Sequence, residues 1–241
     1  MLKRLILVLA TMTIAVPAVA EDEKAEEDKG PWAGKAALGY LSTSGNTENS
    51  NLNSAFELTH TTDRWKHLLR ALAIYASEDE VTSSEAYELG WKSEWTINDA
   101  SFLFGRLNWR KDRFSSYDSQ FSQTAGYGRR LIETDRHKLH VEVGAGARQS
   151  RLVDGSREDE FIIRGGLDYV WVLSETAEFT QKLGVESGDT NTNIESVSAL
   201  SARIMGNLAL VASYTIKHNT DVLPLTEKTD TYTALSLEYL F

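Results

Sequence analysis

From Trp32 to Phe241 apolar and polar residues alternate one by one, with a period of two that persists to the end of the chain. Tyr87, Leu89, Trp91 and Trp95 interleave with Glu88, Lys92 and Glu94; Leu208, Leu210, Ala212 and Tyr214 interleave with Ser213 and Thr215. Successive side chains of a strand point to opposite faces, so each such stretch has one greasy and one polar side. A helix would need apolar residues three and four apart, a spacing these stretches lack. Twelve strands are predicted near 32–43, 51–62, 65–77, 85–96, 100–111, 117–131, 137–150, 159–172, 177–188, 194–205, 208–219 and 229–241. The third is the least clear, because Leu68 to Ala73 is apolar on both faces apart from Arg70.

The connections alternate in length. Thr62-Asp63-Arg64, Ile97-Asn98-Asp99, Ile132 to Arg136, Leu173 to Thr176 and Gly206-Asn207 are short. Ser44 to Ser50, Glu78 to Ser84, Asp112 to Ser116, Arg151 to Glu158, Asp189 to Asn193 and Thr220 to Lys228 are longer and polar. Short turns at one end and long loops at the other characterise an up-and-down membrane barrel. The fold class is therefore all-β: a single closed antiparallel transmembrane β-barrel of about 12 strands. In such a barrel the apolar face meets lipid and the polar face lines the lumen, the reverse of a soluble barrel. That face comprises Lys35, Glu57, Glu88, Lys92, Glu94, Arg106, Arg110, Glu142, Arg148, Arg164, Asp168, Glu178, Lys182, Glu186, Glu195, Arg203, Lys217 and Glu238. Its charges nearly balance, which predicts ion pairs filling the interior rather than the one-signed ring of a selective pore.

The position of the large aromatics supports the inversion. Trp65, Trp95, Tyr127, Trp171, Phe179 and Phe241 lie beside the short turns; Tyr40, Tyr75, Trp109, Phe121 and Phe161 lie toward the long loops. Two such rings match the girdles that sit at lipid headgroups.

Ahead of the strands stands a different object. Lys3 and Arg4, an apolar stretch from Leu5 to Val16, and Ala18-Val19-Ala20 follow the three-part pattern of a secretory signal peptide, with cleavage predicted after Ala20. Residues 21–31 form an acidic segment without apolar area to order it. The predicted organisation is 1–20 signal peptide, 21–31 acidic disordered segment, 32–241 barrel. The chain holds no cysteine, which excludes disulfides and thiolate chemistry. Its net charge of −10 argues against a nucleic-acid partner.

Chemistry is sparse. The histidines are His60, His67, His137, His140 and His218; His140 and Glu142 share a polar face about 7 Å apart along their strand. No lipase-type Gly-x-Ser-x-Gly occurs. Asp79-Glu80, Asp154 to Glu160 and Asp189 to Asn193 offer oxygen ligands without an EF-hand spacing, and read as solvated loops. Weak calcium bridging to lipopolysaccharide phosphates is their one functional reading. No catalytic, cofactor-binding or metal-binding residue is assigned, and no cofactor is expected.

Gly39-Tyr40-Leu41-Ser42-Thr43-Ser44-Gly45-Asn46-Thr47 resembles the hallmark of the YdiY-like family of salt-induced outer-membrane proteins, whose molecular function is unknown. Ala125-Gly126-Tyr127-Gly128-Arg129-Arg130-Leu131-Ile132, followed by Asp135-Arg136, is similar to the family's central strand and turn. The resemblance covers the chain from about Trp32. It implies an outer-membrane barrel of a Gram-negative cell and a loose link to salt or osmotic stress, and supplies no catalytic residues. Taken without the family, Ser44-Gly45-Asn46 is turn chemistry that would shape the first long loop. Bacterial outer-membrane barrels end in an aromatic residue on an alternating strand, and Leu235, Leu237, Tyr239 and Phe241 are similar to that signal. The expected partners are thus outer-membrane lipid, lipopolysaccharide and, through Phe241, the barrel-insertion machinery; the oligomeric state is not fixed. Two functional readings stand: a narrow passive, porin-like channel or structural barrel that is not an enzyme, and a barrel enzyme or ligand-binding barrel acting on lipid or lipopolysaccharide.

Overall fold

Period-two patterning becomes backbone pairing along the whole described chain in the computed structural model, which describes residues 30–43, 49–78, 81–113, 117–222 and 227–241. The predicted leader, the acidic segment as far as Lys29, and the loop residues Ser44 to Thr47 lie outside the described residues. The strands are β1 (Trp32–Thr43), β2 (Asn49–Thr61), β3 (Trp65–Glu78), β4 (Val81–Asn98), β5 (Ser101–Asp112) and β6 (Tyr117–Glu133). They continue as β7 (His137–Leu152), β8 (Arg157–Val172), β9 (Ala177–Ser187), β10 (Thr192–Met205), β11 (Leu208–Asn219) and β12 (Thr229–Leu240). Each pairs antiparallel with its neighbours in sequence, and β12 returns to β1 to close the barrel. Closure matters in hydrocarbon, where an open edge would leave amides unsatisfied at several kcal/mol each.

The closing seam has its own chemistry. β1 and β12 are registered from Lys35 with Leu240 to Leu38 with Leu237. Phe241 extends this contact: Gly34 donates to the Phe241 carbonyl at 2.7 Å, and the Phe241 amide donates back at 2.9 Å. Its ring lies where a side chain at Gly34 would stand, stacked 6.3 Å from both Phe56 and Tyr239. Further along, the Ser236 hydroxyl of β12 donates to Asn53 Oδ1 of β2 at 3.1 Å, passing over β1 at Gly39. A Cβ at Gly39 would overlap Asn53 Oδ1 and sit 2.7 Å from Ser236 Oγ. The first glycine of the hallmark motif is thus an opening through which β2 and β12 meet.

The turns at the end where β1 begins and β12 finishes repeat one device. Thr62 and Thr134 each open a Thr-Asp-Arg turn, and their hydroxyls accept the amides of Trp65 (3.2 Å) and His137 (3.0 Å). Ser174 does the same for Ala177 at 3.1 Å. Gly206 adopts φ +51, as a two-residue hairpin requires, and glycine takes that conformation without steric cost.

At the opposite, loop end, the structure departs from the sequence-based expectation. Much of the polar stretches expected as loops is strand: β3 runs to Glu78 and β4 begins at Val81, while β7 reaches Leu152 and β8 begins at Arg157. Beyond the lipid zone both faces meet water, so ladder pairing continues without any apolar alternation to advertise it.

The inversion of faces is the physical core of the fold. Leu38, Tyr40, Leu89, Trp109, Val143, Phe161, Ile163, Trp171, Leu210 and Leu237 stand exposed on the outer surface. Their predicted partners on the other face, including Glu88, Lys92, Glu142, Arg148, Arg164 and Lys217, are buried. An exterior of this kind is solvated by acyl chains, not by water. The unassigned third strand falls into place by register, Glu57 with Arg70 and Arg70 with Gly90. Arg70 therefore faces the lumen, and by alternation so do Leu68, Leu72 and Ile74.

Two phenylalanines face inward, as do Tyr117 and Tyr232, against the outward sorting of the other aromatics. Phe102 is 0% exposed and Phe104 4%. They lie on a smooth patch where Gly126, Gly128 and Gly144 carry no side chain: a Cβ at Gly128 would overlap the Phe102 ring, and one at Gly126 would be 2.9 Å from the Phe104 ring. Lys92 Nζ stands 5.6 and 5.7 Å from the two ring centroids, and Arg130 caps Phe102 at 5.0 Å. Replacing Gly128 with alanine is expected to displace Phe102 and destabilise the barrel by about 1–3 kcal/mol, the usual cost of overpacking. Urea unfolding in detergent followed by tryptophan fluorescence would measure it; an unchanged midpoint would show that the ring simply moves into the lumen.

Candidate functional site

The candidate site is the lumen. Every charged residue read from the sequence as polar-face occupies an inward strand position, and most of them engage one another. Some pairs join adjacent strands: Arg164 with Glu186 at 2.8 Å, Arg110 with Glu88 at 3.7 Å, and Lys35 with Glu57 and Glu238 at 3.9 and 3.8 Å. Others cross the hollow. Arg110 of β5 reaches Glu195 of β10 at 2.7 Å, Lys217 of β11 reaches Glu88 of β4 at 3.6 Å, and Lys182 of β9 reaches Glu57 of β2 at 3.8 Å. Lys92 of β4 holds Glu94 at 2.8 Å and Glu142 of β7 in a close pair. A barrel of this strand number is too wide to be filled by nearest-neighbour pairs, so long cationic side chains span it.

Between these struts lies a chamber of about 460 Å³. It extends to the terminal end, where Lys66, Arg130, Glu133, Lys138 and His140 line it. His140 Nε2 bonds Glu133 at 2.7 Å, and Glu142 is taken by Lys92, so the His140–Glu142 proximity read from the sequence does not form a working pair. The other histidines belong to the exterior. His67 stacks between Trp65 and Trp91, with centroids at 5.7 and 6.1 Å; His60 packs on Trp32 at 4.2 Å. His137 stacks on Trp171 at 5.9 Å and bonds the Tyr169 hydroxyl at 2.9 Å. His218 bonds Thr229 at 2.8 Å. The aromatic belt at the terminal end is thus completed by imidazoles.

At the loop end the hollow is bordered by a polar latch. Arg148, 2% exposed, donates through Nε to Glu160 Oε1 at 3.0 Å and through Nη2 to that oxygen and to the Asn191 carbonyl, the latter at 2.6 Å. Glu160 Oε2 accepts from the Thr190 amide and hydroxyl at 3.1 and 3.0 Å. Asn219 Oδ1 accepts from Asn191 at 2.9 Å and Asn193 at 3.1 Å, while Asn191 Oδ1 accepts the Asp221 amide at 3.2 Å. Asn191 therefore binds the β7–β8 hairpin, its own loop and the β11–β12 loop together. This corrects the expectation that Asp189 to Asn193 is a solvated loop: Asn191 is 1% exposed. The reason is length. The loop between Ser187 and Thr192 is tight enough to fold inward, and carboxamides are donors and acceptors at once. Of the other acidic stretches, Asp79-Glu80 lies outside the described residues. Asp154 spends its carboxylate on its own turn, accepting the Ser156 hydroxyl at 2.6 Å and amide at 2.9 Å, which holds its carboxyl below the usual range. Among the described residues no group of three His, Asp or Glu side chains gathers to hold a metal.

Sequence reasoning missed Arg70, Glu160, the inward phenylalanines and the asparagine latch. Arg70 left a signal, being the one charge inside an otherwise apolar stretch. The latch left a fainter one in Asn191-Thr192-Asn193.

A family model described as "Protein of unknown function, DUF481" matches residues 36–241. The chain belongs to the DUF481 family. Among curated proteins it is 34% identical over 215 residues to "Uncharacterized protein YdiY" of Escherichia coli (strain K12), covering 88% of this chain and 84% of that protein. The YdiY-like family assignment is thereby borne out. Among solved structures, the DUF481 barrel is similar to the COG4313 outer membrane channel from Pseudomonas putida F1, with 11% identity, a TM-score of 0.50, and coverage of 88% of this chain and 94% of that one. The NanC porin matches with 8% identity, a TM-score of 0.49, and coverage of 86% and 97%. At such identities the likeness is one of fold alone.

Proposed function

We propose that this DUF481 chain is a passive, non-catalytic outer-membrane barrel whose lumen is a narrow water-filled passage, open toward the periplasm and shut at its outward end by the Arg148–Glu160–Asn191 latch. The observation that carries this reading is the chamber itself: a hollow braced by charged struts, with a hydrogen-bonded network at its loop end, and not packed with hydrocarbon. The lipid-facing exterior, the outer-membrane relatives in fold and the signal-peptide pattern support the location. Placing the termini and short turns in the periplasm follows the ordinary asymmetry of such barrels. Outer-membrane lipid and lipopolysaccharide are its surroundings. The β12 face of Leu235, Leu237, Tyr239 and Phe241 is the segment proposed to meet the insertion machinery. A passive role is supported by the histidines, four of which are spent on outer-face contacts. The link to salt stress rests on the family resemblance; its physical counterpart is that the half-exposed ion pairs, such as Lys182–Glu57, weaken as ionic strength rises.

Single-channel recording in planar bilayers tests the passage. The wild-type barrel is expected to show a small steady conductance. Arg148→Ala combined with Glu160→Ala, which removes the latch pair without leaving a lone charge, is expected to raise it several-fold. A latch-free barrel that remains electrically silent would overturn the passage and leave a purely structural barrel.

A further inference from the structure

We infer that the chamber wall at Gly90 is a binding site for a small oxyanion, a carboxylate or phosphate group, held by Arg70 and Arg106. The inference deepens the proposed passage, since solute must reach the chamber. Most lumen cations are already matched. Lys35, Lys92, Arg110, Arg148, Arg164, Lys182 and Lys217 each have a carboxylate within 4 Å. Arg70 and Arg106 line the same chamber and have none among the described residues, as is also true of Lys66 and Arg130 toward the terminal end.

The strand register brings these two together. Gly90 of β4 is paired with Arg70 on one side and Asn108 on the other, and Arg106 is the next inward position along β5. Here the wall is therefore bare only at Gly90, a notch one residue wide with Arg70 on one side and Asn108 on the other, and Arg106 and Lys92 occupy the next inward rung. The notch is bounded closely, since a Cβ at Gly90 would lie 3.1 Å from Asn108 Oδ1. Arg106 Nε, Asn108 Oδ1 and Arg110 Nε are buried there without a protein hydrogen-bond partner.

Three nearby glutamates are committed elsewhere. Glu88 is held by Arg110 and Lys217, Glu57 by Lys182 and Lys35, and Glu195 by Arg110. Glu88, Glu195, Glu57 and Asp168 all act on Arg70 from a distance, but none closes an ion pair with it. On the other side Arg164 stands near enough to repel Arg106. Arginine keeps its charge at any physiological pH, so two unmatched guanidinium groups in a confined space call for a counter-anion. Their planar forks fit the paired oxygens of a carboxylate or phosphate better than a spherical ion.

The test is isothermal titration of the detergent-solubilised full chain with inorganic phosphate and, separately, with malonate at low ionic strength. Saturable binding is expected for at least one of them. Arg106→Gln and Arg70→Gln should each weaken it roughly tenfold or more, the loss typical of a charge-assisted hydrogen bond. Arg106→Lys should fall between, and Gly90→Val should block the notch with both charges kept. Tighter phosphate binding would identify the ligand as a phosphate group, tighter malonate binding as a carboxylate. Absence of saturable binding to either, or equal affinity in the glutamine variants whose folding is verified by heat-dependent gel mobility, would overturn the site. The two readings separate cleanly: a barrel that conducts but does not bind loses only the site, and one that binds without conducting loses only the passage.

Discussion

Truncating Arg148 to alanine is expected to cost about 3–5 kcal/mol of barrel stability, because it strands Glu160 as an unpaired charge in a closed space. The geometry makes the effect large. Glu160 keeps the Thr190 amide and hydroxyl, but loses both donors that offset its negative charge. The Asn191 carbonyl loses its guanidinium donor in the same step. Adding Glu160→Ala should recover most of the loss, since removing both partners leaves no uncompensated ion. Urea-unfolding midpoints of the two single variants and the double variant measure this coupling. Additive losses would mean that the pair is wet and independent, and the latch would then be no seal.

A charge placed on the opposite face should behave quite differently. Leu89→Arg is expected to destabilise the barrel by about 2–4 kcal/mol, the penalty for a guanidinium at the bilayer midplane. Leu89 is exposed near the middle of β4, on the face shared by Tyr87 and Trp91. Lys182→Ala, on the lumen face, should cost far less. Its partner Glu57 is 3.8 Å away and retains Lys35, and the lysine is 40% exposed within the hollow. Unfolding in lipid bilayers is the needed measurement, because a detergent micelle adapts around a charge. Equal costs would reverse the assignment of faces on which the lumen, the latch and the anion site all depend.

The outer surface was legible because lipid imposes a rule on every second residue, and a rule that local is written into the order of the chain. Leu89, Trp91 and Val143 announce themselves by alternation with Glu88, Lys92 and Glu142. β3 escaped because its lumen side is also apolar, with Leu68, Leu72 and Ile74 beside Arg70; only pairing to Glu57 and Gly90 settles which way it faces. The inward Phe102 and Phe104 escaped for a related reason. Their burial rests on bare glycine on β6 and β7, which no reading of β5 alone could supply.

Strand number, the sign of the inversion, the aromatic girdles and the list of lumen charges thus follow from the sequence by itself, since each depends on neighbours one or two residues away. Which charges meet is a different matter. Arg110 with Glu195, Lys217 with Glu88, and Arg148 with the Asn191 carbonyl join residues far apart in the chain. Whether Arg70 and Arg106 are left over depends on all those pairings at once. The closure of the barrel, which brings opposite walls within reach of a lysine or arginine, decides them, and it is a property of the sheet as a whole rather than of any strand in it.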